Sequence, residues 1–273
     1  KDPQSWRLIG KRIARLDTVK KTMGAQNYGI DVQLPGMLNA AIRDCPVFGG
    51  KVKGFNPASI EKRPGVKKVV QVGDSAVAVV ADTWWRAKTA LEALAIDWDL
   101  GANADASTDS MRAKIQEGLD AKEAAPGNKQ GDASATLASA ARTVEAVYSY
   151  PHLSHAPLEP MNATARWTPE RCEVWVPTQN AAASLAATAE AAGLPAAQCE
   201  VYQEYLGGGF GRRARNDFVS QAVAIAKMMP GTPIKLLWTR EEDMTHGFFH
   251  PISQCKLRAG LDEQGNLTAL QMR

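Results

Sequence analysis

The residues best suited to chemistry lie in "YLGGGFGRR", residues 205–213, where Gly207, Gly208, Gly209 and Gly211 surround Phe210 and two arginines follow. Glycine lacks the Cβ that disfavours positive φ, so this cluster lets main chain turn sharply and come close to a ligand. Its N–H groups can then act as fixed donors to an anionic or oxo-bearing partner. Positive φ is the expected reason for glycine at 209, where a β-branched residue would fit badly. Two nucleotide signatures fail on spacing. A dinucleotide fingerprint counted from Gly207 needs a third glycine at 212, which is arginine, and a phosphate loop needs a lysine followed by Ser or Thr that this stretch lacks. A tight turn packed on a neighbouring element is the plain alternative.

Other candidates carry less. His152, His155 and Glu159 look like a metal triad, but Pro151, Pro157 and Pro160 argue against the helix that would align them. They read as structural residues. Glu241 and Glu242, in "TREEDM", suit a helix start, where the positive end of the dipole favours acids. His246 and His250 flank two phenylalanines and read as core or surface. Cys45, Cys172, Cys199 and Cys255 are scattered with no C-x-x-C, so zinc and iron–sulfur spacings are missing and reduced thiols are expected.

The elements that must position these residues fall into two units. From 10 to 100, an apolar strand (37–42), a hairpin of two valine-rich runs broken at Gly73-Asp74, a helix and a strand (96–98) make an α+β module. The helix starts at Asp82 or Thr83 and should bury Trp85, Ala87, Leu91 and Leu94. Residues 101–140 have linker composition, with a short helix near 110–120. From 141 to 273, three strands precede an alanine-rich helix stopped by Gly193 and Pro195. A strand then runs into the glycine loop, a helix follows it, and three further strands finish the unit. A net charge of +3 does not suggest nucleic-acid binding, and no apolar run nears the roughly 18 residues of a membrane helix. The start at Lys1 and the end inside the strand-like "LTALQMR" suggest an internal piece of a longer polypeptide.

Four stretches occur in order: "HLSHAPLEPMNATARW", "VPTQN", "YLGGGFGRR" and "LLWTREEDM". Together they resemble the molybdopterin-binding large subunit of the xanthine oxidase/aldehyde oxidase family of molybdenum hydroxylases, in its isoquinoline oxidoreductase β-subunit form. "GVKKVV" and "VAVVADTWWRAKTALEAL" are similar to the α/β hammerhead domain of that family. The resemblance implies an α+β fold, with a hammerhead domain at 10–100 and the first part of a molybdopterin-binding domain at 141–273.

It further implies a molybdenum–molybdopterin cofactor whose pterin dithiolene itself ligates the metal, so the protein need supply no metal ligand. Gln179, Gly208, Gly209, Phe210, Gly211 and Arg212 would be cofactor-binding. Phe210 and Gly211 would lie beside the molybdenum, and the Gln179 amide would donate to the apical oxo group. Arg212 or Arg213 would meet a cofactor phosphate, whose geometry guanidinium matches. The His152–Glu159 stretch would lie near the pocket. The family's general base is a glutamate near the C-terminus of the whole subunit, so no catalytic residue is assigned within this chain. The implied reaction is oxidation of an aldehyde or N-heterocycle with water-derived oxygen, and electrons would leave through an iron–sulfur partner subunit. The alternative is a scaffold or binding subunit that keeps the fold without the chemistry. Bacterial periplasm and cytoplasm both stay open as locations.

Overall fold

The computed structural model describes residues 2–273. Along the first half run α1 (Thr18–Thr22), β1 (Leu38–Asp44), β2 (Lys51–Phe55), β3 (Val66–Val72), β4 (Ala76–Ala81), α2 (Trp84–Glu92), β5 (Ile96–Asp99), α3 (Thr108–Asp120) and α4 (Ala133–Ala138). Then follow β6 (Arg142–Tyr150), β7 (Asn162–Trp167), β8 (Cys172–Val176), α5 (Ala181–Ala192), β9 (Cys199–Gln203), α6 (Asp217–Lys227), β10 (Ile234–Leu237), α7 (Arg240–Thr245), β11 (Ser253–Leu261) and β12 (Leu267–Met272). The class is the expected mixture of helices and mainly antiparallel strands.

One compact unit gathers the segments up to Asp44, Val52–Asp97 and Ala156–Asp243. Its seven-stranded sheet has the order β3-β4-β1-β10-β7-β8-β9. β4 lies between β3 and β1, and all six of its residues are buried because both faces are covered. Ala76, Ala78 and Val80 share a core with Phe218, Val223 and Ile225 of α6, while Val77, Val79 and Ala81 pack with Ala87, Ala90 and Leu91 of α2. β1 pairs with β10 in parallel, Leu38 opposite Ile234 and Ala40 opposite Leu236. Strands from both sides of residues 101–140 therefore complete one sheet. Main-chain pairing between distant strands leaves no mark in composition.

Thr83 caps α2, its hydroxyl accepting from the Arg86 N–H. Three residues of the expected apolar face are buried, but Trp85 is 66% exposed. Trp84 takes the inward place and donates its indole N–H to Leu237 O at 2.9 Å. Residues 84, 87, 91 and 94 follow one helical stripe, which Trp85 leaves by about a hundred degrees. α5 is capped by Asn180 and ends at Gly193, where φ is +69°. The second unit comprises Cys45–Lys51, Trp98–His155 and Met244–Arg273. It is built on the antiparallel sheet β12-β11-β6, with α3 and α4 packed on it through Leu119, Leu137 and Ala269.

All four cysteines are free. Cys172 lies opposite Cys199 in the parallel β8–β9 pair, and burial, helped by that neighbouring thiol, pushes the Cys172 pKa up to about 12. Thiolate is the reactive form. The folded chain is therefore expected to leave Cys172 unmodified by iodoacetamide at pH 8. Mass spectrometry showing its alkylation before unfolding would contradict this burial.

Candidate functional site

β8 and β9 run parallel and side by side, so the segments leaving their carboxyl ends emerge together. Ligands of open sheets commonly bind outside such ends. β8 leads to Pro177, Thr178 and Gln179, and β9 leads to the glycine loop. Gln179 thereby lies against the loop: its Oε1 accepts from the N–H of Gly211 at 3.1 Å and of Arg213 at 3.2 Å. Its main-chain N–H donates to Arg213 O. The amide NH2 of this exposed residue has no hydrogen-bond partner among the described residues.

Three consecutive loop carbonyls are each held by a donor. Gly207 O accepts from the Glu159 N–H at 3.1 Å, Gly208 O from Arg213 Nε at 2.8 Å, and Gly209 O from the Arg212 N–H at 2.8 Å. No peptide is cis, and a planar trans peptide points its C=O and N–H in opposite directions. The N–H groups of Gly208, Gly209 and Phe210 therefore face away from these donors. Among the described residues none of the three has a hydrogen-bond acceptor. Gly209 is buried and Gly208 half-buried, and main-chain donors so placed are normally satisfied, so their open N–H groups, with that of the exposed Phe210 beside them, suit an acceptor.

The glycines differ in what they provide. Gly208 and Gly211 take φ of +92° and +102°. Gly209 does not lie in the left-handed region, contrary to the expectation from sequence. It is needed for close packing: a Cβ there would stand 2.5 Å from Gln179 Oε1. At Gly207 a Cβ would stand 2.5 Å from the Cβ of Glu159. Phe210 has φ of +53° and is 75% exposed. A bulky residue in that conformation stores about 1–3 kcal/mol of strain, the kind of outlier that gathers at ligand sites.

The two arginines that follow the glycines both turn inward. Arg212, expected on a cofactor phosphate, is buried and bound bidentately to Asp217 at 2.8 and 2.7 Å. Its guanidinium lies 5.5 Å from the Trp238 ring and 5.9 Å from that of Phe218. The fork that suits phosphate is already filled by a carboxylate. Arg213 is also fully buried, and burial lowers its pKa while Glu159 opposes the shift. Burial likewise raises Asp243, against the pull of Arg240, Arg212 and Arg213.

Sequence reasoning missed the part played by Glu159. Its Oε1 accepts from Ile30 N–H and Asn162 Nδ2, and its Oε2 from Gly207 N–H and Arg213 Nη2. Two of its four partners, Gly207 and Arg213, belong to the glycine loop and the arginines after it. His152 contacts Met111 Sδ and the edge of Phe249. His246 Nε2 lies 2.8 Å from Cys45 O. Glu242 is buried and accepts from Asp44 N–H at 2.6 Å, while its own N–H donates to Thr239 Oγ1. Among the described residues no group of three His, Cys, Asp or Glu could hold a metal ion. Beside the loop runs an open groove of 580 Å³, lined by Tyr28, Ile30, Leu158, Pro160, Leu206 and Gly208.

A row of main-chain donors, a free amide NH2 and main chain packed too closely for a Cβ suit a ligand that offers acceptors. The family described as molybdopterin cofactor-binding domain matches residues 115–273, which take in Gln179 and the whole glycine loop. The chain belongs to the molybdopterin cofactor-binding domain family. It is 29% identical over 278 residues to isoquinoline 1-oxidoreductase subunit beta of Brevundimonas diminuta, covering 97% of this chain and 35% of that protein. It is 28% identical over 273 residues to a Gluconacetobacter polyoxogenes protein named membrane-bound aldehyde dehydrogenase (pyrroloquinoline-quinone), with the same two coverages. The quinoline 2-oxidoreductase structure from Pseudomonas putida 86 superposes with a TM-score of 0.76 at 21% identity, over 97% of this chain and 39% of that one. The chain thus spans about a third of the length of these family relatives.

Proposed function

We propose that this chain is part of the molybdenum-cofactor-binding subunit of an oxidoreductase that oxidises aldehydes or N-heterocycles. The observation that carries the reading is the row of open N–H donors at Gly208, Gly209 and Phe210 beside the free amide of Gln179. The names of the relatives, an isoquinoline oxidoreductase subunit and an aldehyde dehydrogenase, support the substrate class. When bound, the cofactor supplies two-electron oxidation with oxygen taken from water. The loop N–H groups and the Gln179 NH2 would hold it by donation to its oxygen acceptors, and the exposed ring of Phe210 would wall off solvent from the reacting carbon. The isoquinoline relative is by name one subunit of a larger enzyme. With cysteines too dispersed for a cluster, electrons would pass to a partner subunit carrying iron–sulfur centres.

Gln179→Glu tests the reading. A carboxylate keeps an oxygen for the N–H groups of Gly211 and Arg213 but removes the NH2 donor. Losing a hydrogen bond to a charged centre costs about 1.5–3 kcal/mol. If that loss falls on the transition state, turnover of the whole enzyme drops on the order of ten- to a hundredfold. The measurement is kcat per bound molybdenum, with circular dichroism as folding control. An unchanged kcat would return Gln179 to the role of a residue preceding a helix.

A further inference from the structure

We infer that Glu159 and Arg213 are positioning residues, which set the direction of the loop's open N–H donors without touching what those donors bind. The inference rests on the reading of the loop as a cofactor cradle. The Glu159 carboxylate receives four donors: Ile30 N–H at 2.8 Å, Asn162 Nδ2 at 3.0 Å, Gly207 N–H at 2.7 Å and Arg213 Nη2 at 3.0 Å. Arg213 passes this anchoring forward. Its Nη2 also donates to Glu159 O at 2.6 Å, and its Nε donates to Gly208 O at 2.8 Å. The Gly208 carbonyl belongs to the peptide that carries the Gly209 N–H. Fixing one end of a rigid trans peptide fixes the other.

Stability alone does not account for this pair. Two charges with side chains 0% and 5% exposed lose their hydration, and an apolar pair of similar volume commonly serves stability as well or better. Arg213 even leaves Nη1 buried without a hydrogen-bond partner. A planar guanidinium does supply something no apolar side chain can, because it holds a carboxylate and a carbonyl at fixed directions from one rigid group. Both ends of the loop's first turn, Gly207 N–H and Gly208 C=O, are tied to this one ion pair. Lysine at 213 would keep the charge and lose the fork. Glutamine at 159 would keep the shape and lose one acceptor and the charge.

The test uses the chain itself, labelled with nitrogen-15, and sodium molybdate as an oxoanion probe of the donor row. In the unaltered chain the amide resonances of Gly208, Gly209 and Phe210 should shift on titration. Glu159→Gln and Arg213→Lys should each weaken the apparent affinity about tenfold, the effect of one hydrogen bond lost from its direction. The free-state Gly209 amide should move as well, while Ala40 and Ala41 in the core of the sheet keep their shifts. A loss of stability without a positioning role would not single out Gly209 in this way. If Arg213→Lys fails to fold by circular dichroism, Glu159→Gln decides. Unaltered affinity in a folded variant would overturn the positioning role and leave the cradle standing. Absence of any loop shift in the unaltered chain would remove the cradle, and this inference with it.

Discussion

Arg212→Ala is expected to destabilise the chain by about 3–5 kcal/mol, the usual result of removing one partner from a buried ion pair. The guanidinium is almost wholly buried, and both of its Nη atoms are bound to Asp217. Asp217 keeps 28% of its side chain exposed, so the stranded carboxylate recovers some hydration and the effect should fall near the lower end. Packing adds to the loss. Arg212 lies near the rings of Trp238 and Phe218, both in the main core, and alanine would leave a cavity against them. For a chain of this length the melting temperature should fall on the order of 10 °C. The measurement is thermal unfolding followed by circular dichroism, with Arg212→Lys as the intermediate case. A melting temperature within a degree or two of the unaltered chain would show that the Asp217 pair does not anchor the loop. The place of Arg212 directly after the glycines suggests a phosphate partner, whereas its fork is held by Asp217.

That contrast shows which parts of the molecule can be read along the chain. Caps and stops can be, because their physics is local: Thr83 and Asn180 accept from N–H groups three residues on, and Gly193 supplies the left-handed residue that ends α5. The glycine cluster is equally visible. Gln179 is not visible from its neighbours, since nothing nearby says that its oxygen receives donors from residues 211 and 213; only the order of the motifs pointed to it. Glu159 is harder still. Three of its four partners are main-chain N–H groups or a buried amide, at residues 30, 207 and 162, and main-chain donors carry no sequence signature. Arg212 and Arg213 look alike in sequence, and both turn inward because Asp217 and Glu159 wait there. The sheet hid its order for the same reason. β1 and β10 are short apolar strands that nothing in composition marks as neighbours.

Gly209→Val should disable the loop, through Gln179 and not through its own backbone. φ at Gly209 lies outside the left-handed region, so a side chain is allowed there by conformation. Space forbids it. The first added carbon would stand 2.5 Å from Gln179 Oε1 and 2.9 Å from Cδ, and valine brings two further methyl groups. Gln179 must swing away, and its oxygen then leaves the N–H groups of Gly211 and Arg213. Forced overpacking costs about 1–3 kcal/mol. The two released donors add about 0.5–1.5 kcal/mol each, less whatever water restores at this exposed residue. Before that hydration the parts add to about 2–6 kcal/mol, with molybdenum retention by the whole subunit lost alongside it. A double-mutant cycle separates this cause from backbone strain. Gly209→Ala should be clearly destabilising in the native background and nearly silent when Gln179 is already alanine, because the atom it strikes is gone. The coupling should reach about 0.5–3 kcal/mol, the range for residues in direct contact. Additive effects of the two substitutions on unfolding free energy would mean that Gly209 is required for its backbone after all. The loop would then be shaped by its own φ/ψ preferences, with Gln179 merely resting against it.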